Sequence, residues 1–352
     1  MRAKLKAGLK YAVMLTVTAF LLWLSFNNIQ VTGDESKMDF IVRVWNEANI
    51  PFLFLSALAA VLSHVIRAER WKLLLSPLGH KTKLSHGFMS VMVGYFINLA
   101  IPRGGEVSRC YNLYRLNKTP VDVSLGTVVA ERVIDLIFLI VLLGTSFLVE
   151  VDNLMYFFQS DEIQKLRGEG QDSGFPYMLI SGVIIFIIAV YFIIRYILAK
   201  KRFFALRFIS KGKKVLAGIK NGVTAVFKLE KRFLFIVYSL LIWICYYLMM
   251  YLVMMAFPET AELGFLAALT IFVIGGIAMA VPLPGGAGSF HILVPLGLVI
   301  LYGLSQDKAV AFTFIFHGWQ TLVIIIVGAL SLVLSQTKNK SKSIDQRKNN
   351  IN

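Results

Sequence analysis

Long stretches without a single charged residue constrain this chain more than any other feature of its sequence. Seven stretches lack Asp, Glu, Lys and Arg altogether: 11–33, 48–66, 84–102, 173–194, 233–258, 263–306 and 309–337. A helix needs about 20 apolar residues to cross the hydrocarbon core of a bilayer. Only 16% of the 352 residues are charged, against about a quarter in soluble domains. The sequence therefore predicts an all-α, polytopic membrane protein.

Basic residues are sorted to one side of these predicted spans. Residues 1–10, 67–83, 103–118, 199–232 and 338–352 hold 29 of the 36 lysines and arginines, whereas 34–47, 150–172, 257–262 and 307–308 hold 13 of the 20 acidic residues. Because Lys and Arg accumulate in cytoplasmic loops, we expect a multi-pass protein of a bacterial cytoplasmic membrane with both termini cytoplasmic. We attribute the basic surface to topology and to anionic lipid, and we expect no nucleic-acid partner.

Two of the apolar runs are interrupted by proline and glycine. Run 84–102 has basic residues on both flanks, so it must enter the membrane and return, through the turn Ile101-Pro102-Arg103-Gly104-Gly105-Glu106. Run 263–306 is too long for one span and breaks at Val281-Pro282-Leu283-Pro284-Gly285-Gly286-Ala287-Gly288. For this second run, a re-entrant pair and two full crossings agree equally well with the charges.

Each break is followed by a long apolar segment that contains polar residues, so 84–149 and 263–335 are predicted to be related repeat units. One unit dips in from the inside and the other from the outside, which is the arrangement of inverted-repeat transporters. We expect about six full transmembrane helices plus two broken or re-entrant helical hairpins in one integral membrane domain, 1–335. Residues 336–352 are predicted to form a disordered basic cytoplasmic tail.

Several short motifs occur together and in order along the chain. They are Arg67-Ala68-Glu69-Arg70-Trp71, Gly94-Tyr95-Phe96-Ile97-Asn98, Pro102-Arg103-Gly104-Gly105-Glu106-Val107-Ser108-Arg109, Ala130-Glu131-Arg132-Val133-Ile134-Asp135 and Pro284-Gly285-Gly286-Ala287-Gly288. On these motifs the sequence resembles the lysylphosphatidylglycerol synthase transmembrane, or flippase-like, family over most of its length. The resemblance implies a lipid-translocating membrane fold that is often a homodimer. The family's second motif usually ends in glutamate, where this sequence has His291.

The resemblance does not imply synthase activity for this chain. The aminoacyl-transferring part of such synthases is a separate soluble domain of a few hundred residues, and the longest predicted cytoplasmic connection here, 199–232, is far shorter. We therefore expect no enzymatic activity and no cofactor. A separately encoded lipid-modifying synthase is a partner that the resemblance allows.

The two turns, together with the charged residues that follow the first, form the candidate lipid-binding site. Helices that start after the glycines offer N–H groups and a positive dipole end to a phosphate, and nearby arginines add charge-assisted hydrogen bonds. Topological and packing roles are the alternatives. The candidate residues are Asn98, Arg103, Gly104, Gly105, Glu106, Arg109, Glu131, Arg132, Asp135, Pro284, Gly285, Gly286, Gly288, His291 and His317.

Two carboxylates in the apolar segment 123–149 need partners. Glu131 and Asp135 are four residues apart and share one helical face. Leaving them unpaired in hydrocarbon costs at least ~2–3 kcal/mol each. We therefore expect them to face the protein interior and to pair with Arg103 or Arg109. Such pairs serve as a structural ion network, take part in transport, or do both.

Other polar and small residues are interpreted structurally. His64, Arg67 and Arg70 are predicted to share a face at the inner end of the second helix and to extend to lipid headgroups. His291 and His317 have no third ligand type nearby, so no metal site is expected and they are interpreted as packing or cavity-lining side chains. Gly275, Gly276 and Gly328 are interpreted as points of close helix packing.

These observations favour a lipid flippase that moves an anionic or headgroup-modified lipid, for example an aminoacylated or glycosylated one, through a polar intramembrane cavity. One alternative is a membrane-embedded enzyme that acts on lipid-linked substrates through a carboxylate or a histidine. Another is a scaffold that recruits a lipid synthase through the basic loop 199–232.

Overall fold

The structure is a computed structural model that describes residues 16, 19–20, 22–27, 35–101, 104–149, 156, 226–281, 283 and 286–349. All regular elements in these residues are helical. The α-helices are α1 (Lys37–Asn46), α2 (Ile50–Leu75), α3 (Leu84–Ala100), α4 (Gly104–Asn117), α5 (Val121–Val149), α6 (Arg232–Ala256), α7 (Pro258–Ala261), α8 (Gly264–Ala280), α9 (Ser289–Tyr302) and α10 (Gln306–Asn349). Short 3-10 helices lie at Ser76–Leu78 and Val226–Lys228, and residues 22–27 are also helical.

Three of the described helical segments are long and apolar enough to cross a membrane: Ile50–Leu78, Arg232–Ala256 and Gln306–Lys338. They correspond to α2 with its 3-10 extension, to α6 and to most of α10. The chain is thus an integral membrane protein, and its described part is all-helical, as predicted. The total of about six spans stays a prediction, because 173–194 and most of 11–33 lie outside the described residues.

Helices α2 and α6 pack against each other and run in opposite directions. The backbone N–H of Asn49, just before α2, donates to the carbonyl oxygen of Ala256 at the end of α6 at 2.7 Å. An ion pair of 3.1 Å joins Lys308 to Glu259. Segments 35–47, 257–262 and 307–308 therefore meet at one end of the bundle, as the charge sorting predicts.

Two sets of three helices have matching lengths and matching neighbours. In each set a 17-residue helix is followed by a 14-residue helix and then by a longer one: α3, α4 and α5 in the first set, and α8, α9 and α10 in the second. Helix α5 packs on α4 of its own set and on α8 of the other, while α10 packs on α9 and on α3. The short helices are about 25 and 21 Å long, less than the ~30 Å hydrocarbon core.

Glycines make several of these helix contacts possible. A Cβ atom on Gly328 would lie 2.7 Å from Cβ of Phe96, so α10 approaches α3 closely there. A Cβ on Gly275 would lie 2.8 Å from the ring of Phe290 in α9. The interpretation of Gly275 and Gly328 as points of close packing is confirmed.

Helix α10 continues to Asn349, so residues 336–349 are helical where the sequence analysis assigned them to a disordered tail. No proline or glycine follows Gly328 in the chain. A helix that begins at Gln306 therefore meets no residue that stops it, and the assignment of disorder to 336–349 is corrected.

Candidate functional site

The first proline–glycine turn joins α3 and α4 into a tight hairpin. A Cβ atom on Gly105 would overlap the carbonyl oxygen of Gly94 and the side chain of Asn98, so only glycine fits at this crossing. The backbone N–H of Gly105 donates to Oδ1 of Asn98 at 2.7 Å. Two residues of the turn, Pro102 and Arg103, lie outside the described residues.

The start of α4 offers fewer free amides than the sequence suggests. The N–H of Gly104 donates to the carbonyl oxygen of Ile101 at 2.9 Å, and the N–H of Gly105 is taken by Asn98. Among the N–H groups expected to be free at the start of α4, those of Gly104 and Gly105 are therefore already bonded within the protein. Asn98 of α3 and Ile101, which follows α3, satisfy these donors within the protein.

Five charged side chains from three helices form a continuous buried network, which we call the charge ladder: Arg67 and Arg70 of α2, Arg109 of α4, and Glu131 and Asp135 of α5. Asp135 accepts hydrogen bonds from Nη1 of Arg67 at 2.8 Å and from Nη2 of Arg70 at 2.7 Å. Glu131 accepts from Nη2 of Arg109 at 2.8 Å. Nη2 of Arg70 also lies 3.7 Å from Glu131, so positive and negative groups alternate along the ladder.

The ladder is almost completely shielded from solvent. Arg70 is 0% exposed, Glu131 1%, Arg67 3%, Arg109 5% and Asp135 9%. Charges in such surroundings are tolerated only when they are paired and hydrogen bonded. The predicted pairing of Glu131 with Arg109 is confirmed, and so is the placement of both carboxylates in the interior. The same prediction is wrong for Asp135, whose partners are Arg67 and Arg70 of α2.

The prediction that Arg67 and Arg70 extend to lipid headgroups is wrong. Both side chains lie on a buried face of α2 that also carries His64, and the two arginines contact α5 and α6. The reason is the length of α2, which continues to Leu75 and so places both arginines inside the bundle. The ring of His64 lies 4.4 Å from that of Tyr95, centroid to centroid.

Hydroxyl and aromatic groups complete the ladder, and sequence reasoning missed their roles. Tyr246 accepts from Nη2 of Arg67 at 2.9 Å, and Ser239 accepts from Nη1 of Arg70 at 3.0 Å. The guanidinium of Arg109 stacks 3.9 Å from the ring centroid of Trp71, a favourable cation–π distance. Trp71 belongs to one of the sequence motifs, but nothing in the local sequence of α6 marks Tyr246 and Ser239 as partners of the arginines.

A second, more exposed ion pair lies beside the ladder. Nη2 of Arg132 donates to Oε1 of Glu106 at 2.9 Å, with side-chain exposures of 47% and 24%. The other carboxylate oxygen of Glu106 is buried without a hydrogen-bond partner. Across this pair and the ladder, four arginines face three carboxylates. The described part of the site therefore carries one net positive charge, enough to attract an anion.

The second turn is built differently from the first. Gly286 and Gly288 have φ values of +74° and +97°, which favour glycine, and a Cβ on Gly286 would overlap the sulfur of Met279. Pro284 and Gly285 lie outside the described residues. The N–H of Gly288 is 3.4 Å from Nδ1 of His291, and this turn has no charged side chain.

The two candidate histidines are neighbours in the second half. The ring centroids of His291 and His317 are 4.8 Å apart, and His291 lies 4.5 Å from Phe314. The carbonyl oxygen of His291 accepts from Ser25 at 2.7 Å. These contacts join α9, α10 and the helical segment 22–27, whereas the ladder is built from α2, α4 and α5.

Comparisons with known proteins identify a family of membrane proteins. The family model described as lysylphosphatidylglycerol synthase TM region matches residues 11–328. A UPF0104 membrane protein of Methanocaldococcus jannaschii is 32% identical over 126 residues, which is 35% of this chain and 38% of that protein. The chain thus aligns with well under half of that relative. No solved structure matches the chain.

Proposed function

This chain belongs to the lysylphosphatidylglycerol synthase TM region family, and we propose that it is a lipid flippase. It moves an anionic or headgroup-modified lipid across the membrane through a polar cavity beside the charge ladder. The ladder frames the cavity, and the more exposed Arg132–Glu106 pair faces the headgroup. The protein acts without enzymatic activity of its own.

The observation that carries the proposal is the excess of positive charge buried among apolar helices. A lipid phosphate loses its hydration in the hydrocarbon region, so a pathway must replace water with fixed donors. Arginine presents paired donors that match phosphate oxygens. With four arginines and three carboxylates in the ladder and the neighbouring pair, one monoanionic phosphate neutralises the described site.

The depth of the site supports translocation rather than surface binding. Arg132 lies 11 residues after the start of α5 and 17 before its end, or about 16 and 26 Å along the helix axis. A half-exposed arginine in the middle of an apolar helix of this length offers a charge where a crossing headgroup needs it. Intramembrane ionisable residues are functional by default.

The matched helix sets support a mechanism of the inverted-repeat kind. Each long helix packs on the second short helix of its own set and on the first short helix of the other. Such an exchange of partners gives two halves that can rock against each other around a central site. We propose that the short pairs are re-entrant, that the protein is a homodimer in a bacterial cytoplasmic membrane, and that both termini are cytoplasmic.

Reconstitution tests this function directly. The full chain is placed in liposomes with a trace of fluorescent phosphatidylglycerol, and a membrane-impermeant quencher reports the fraction of label that reaches the outer leaflet. We expect quenching to exceed the half expected of a static bilayer, and Arg132→Gln to lower the rate at least tenfold. Quenching equal to protein-free liposomes would overturn the proposal. A chemically altered lipid in the extract would favour the enzyme alternative.

A further inference from the structure

We propose that Glu106 is an internal substitute for lipid phosphate, which occupies the headgroup-binding side chain of Arg132 until a lipid displaces it. The inference rests on the proposed function, which makes a lipid headgroup the source of the phosphate. It adds that Arg132 binds this phosphate and that Glu106 competes for the same side chain. It follows from a contrast between two kinds of ion pair in one site.

The pairs of the ladder are fixed, whereas the outer pair is exchangeable. In the ladder, Asp135 and Glu131 each contact two arginines, and all five residues are at most 9% exposed. Opening such a pair strands a buried charge. Arg132 is 47% exposed and, among the described residues, pairs with one carboxylate, so a ligand that approaches the surface of the bundle can reach it. Exposed pairs of this kind contribute little to stability.

Glu106 is also an incomplete partner. One of its oxygens accepts from Arg132 at 2.9 Å, while the other is buried without a hydrogen-bond partner. An unsatisfied buried oxygen lowers the stability of the arrangement. A phosphodiester presents two unesterified oxygens that a guanidinium binds side by side, and it brings the single negative charge that the described site lacks.

The position of Glu106 links headgroup binding to the first turn. Glu106 is the third residue of α4 and follows Gly104 and Gly105 directly. When a phosphate takes over Arg132, the released carboxylate, which is 24% exposed, turns to solvent. Binding of the headgroup thus removes one of the contacts between the start of α4 and α5.

Binding measurements on the purified full chain in detergent test the exchange. Dihexanoyl-phosphatidylglycerol is the probe, sn-glycerol-3-phosphate represents free phosphate, and dihexanoylglycerol lacks phosphate. Glu106→Gln removes the competing charge but keeps the size of the side chain, so we expect Kd for the phospholipid to fall about 1.5- to 5-fold, the range for an exposed ion pair. Arg132→Gln should raise Kd more than tenfold, and Arg132→Lys should restore part of the affinity.

A matched control is available on α2. Glu69 forms a comparably exposed pair with Lys72 at 2.9 Å, so Glu69→Gln should leave Kd unchanged. The double variant E106Q/R132Q should bind as weakly as R132Q alone, because a competitor has no effect once its target is gone. Thermal unfolding of each variant reports its folding, and Glu106→Ala repeats the test if the glutamine variant unfolds.

Three results would overturn the inference: Kd unchanged or higher in both Glu106 variants, an equal gain in Glu69→Gln, or unchanged binding in Arg132→Gln. If glycerol phosphate gains affinity as much as the phospholipid, the lipid is not the ligand. If no translocation occurs in liposomes while Glu106→Gln still tightens phospholipid binding, the proposed function fails and the exchange stands.

Discussion

Removing the carboxylate that holds two buried arginines should destabilise the protein more than any change at the exposed pair. Asp135 accepts hydrogen bonds of 2.8 and 2.7 Å from Arg67 and Arg70, which are 3% and 0% exposed. Asp135→Asn keeps the shape but leaves three arginines with one carboxylate in the ladder. Breaking a buried pair from one side costs about 3–5 kcal/mol, and we expect the free energy of unfolding to fall by that amount.

The measurement is a reversible titration of the protein from mild detergent into sodium dodecyl sulfate, followed by tryptophan fluorescence. Asp122→Asn, at the start of the same helix, is the control, and its loss should stay below about 1 kcal/mol, the value of a favourable helix-end charge. Adding Arg67→Met to Asp135→Asn should recover part of the loss, because it removes one of the stranded charges.

A loss for Asp135→Asn no larger than that for Asp122→Asn would contradict the reasoning. It would mean that water reaches the ladder and solvates the arginines once their partner is gone. A double variant less stable than Asp135→Asn alone would contradict the second step, since it would show that Arg67 stabilises the bundle by packing rather than through its charge.

Further predictions concern the hairpin, the ladder and the cavity. Gly105→Ala should lower the thermal stability strongly, because the added Cβ would overlap the backbone of α3. Gly144→Ala is the control and should raise or preserve the stability, since nothing lies within 4 Å of its Cβ. Equal effects of the two substitutions would contradict the close contact at Gly105. Trp71→Phe should reduce the free energy of unfolding by about 1–2 kcal/mol, since it removes the 2.8 Å hydrogen bond to Thr127; Thr127→Val should show no additional loss in that background. Arg132→Cys should react with a membrane-impermeant thiol reagent faster than the buried native cysteines, and protection at this position would argue against a wet cavity.

The local pattern of the sequence was enough to predict a membrane protein built from helices. Charge-free runs identify membrane helices because an unpaired charge in hydrocarbon is costly, and the start of α2 and the end of α6 agree with them. The glycines and prolines identify the turn between α3 and α4, because a helix cannot continue through them. The spacing of Glu131 and Asp135 showed that both needed a cation, since two residues four apart share one face.

Only the tertiary structure decided which cations these are. Arg67 precedes Asp135 by 68 positions, and Ser239 follows Arg70 by 169. Such partners are chosen by the rotation and register of one helix against another. That register depends on close contacts such as Gly94 against Gly105, which are properties of two segments at once. A linear pattern fixes where a helix begins and which face is polar, but the neighbour of that face emerges only when the helices pack.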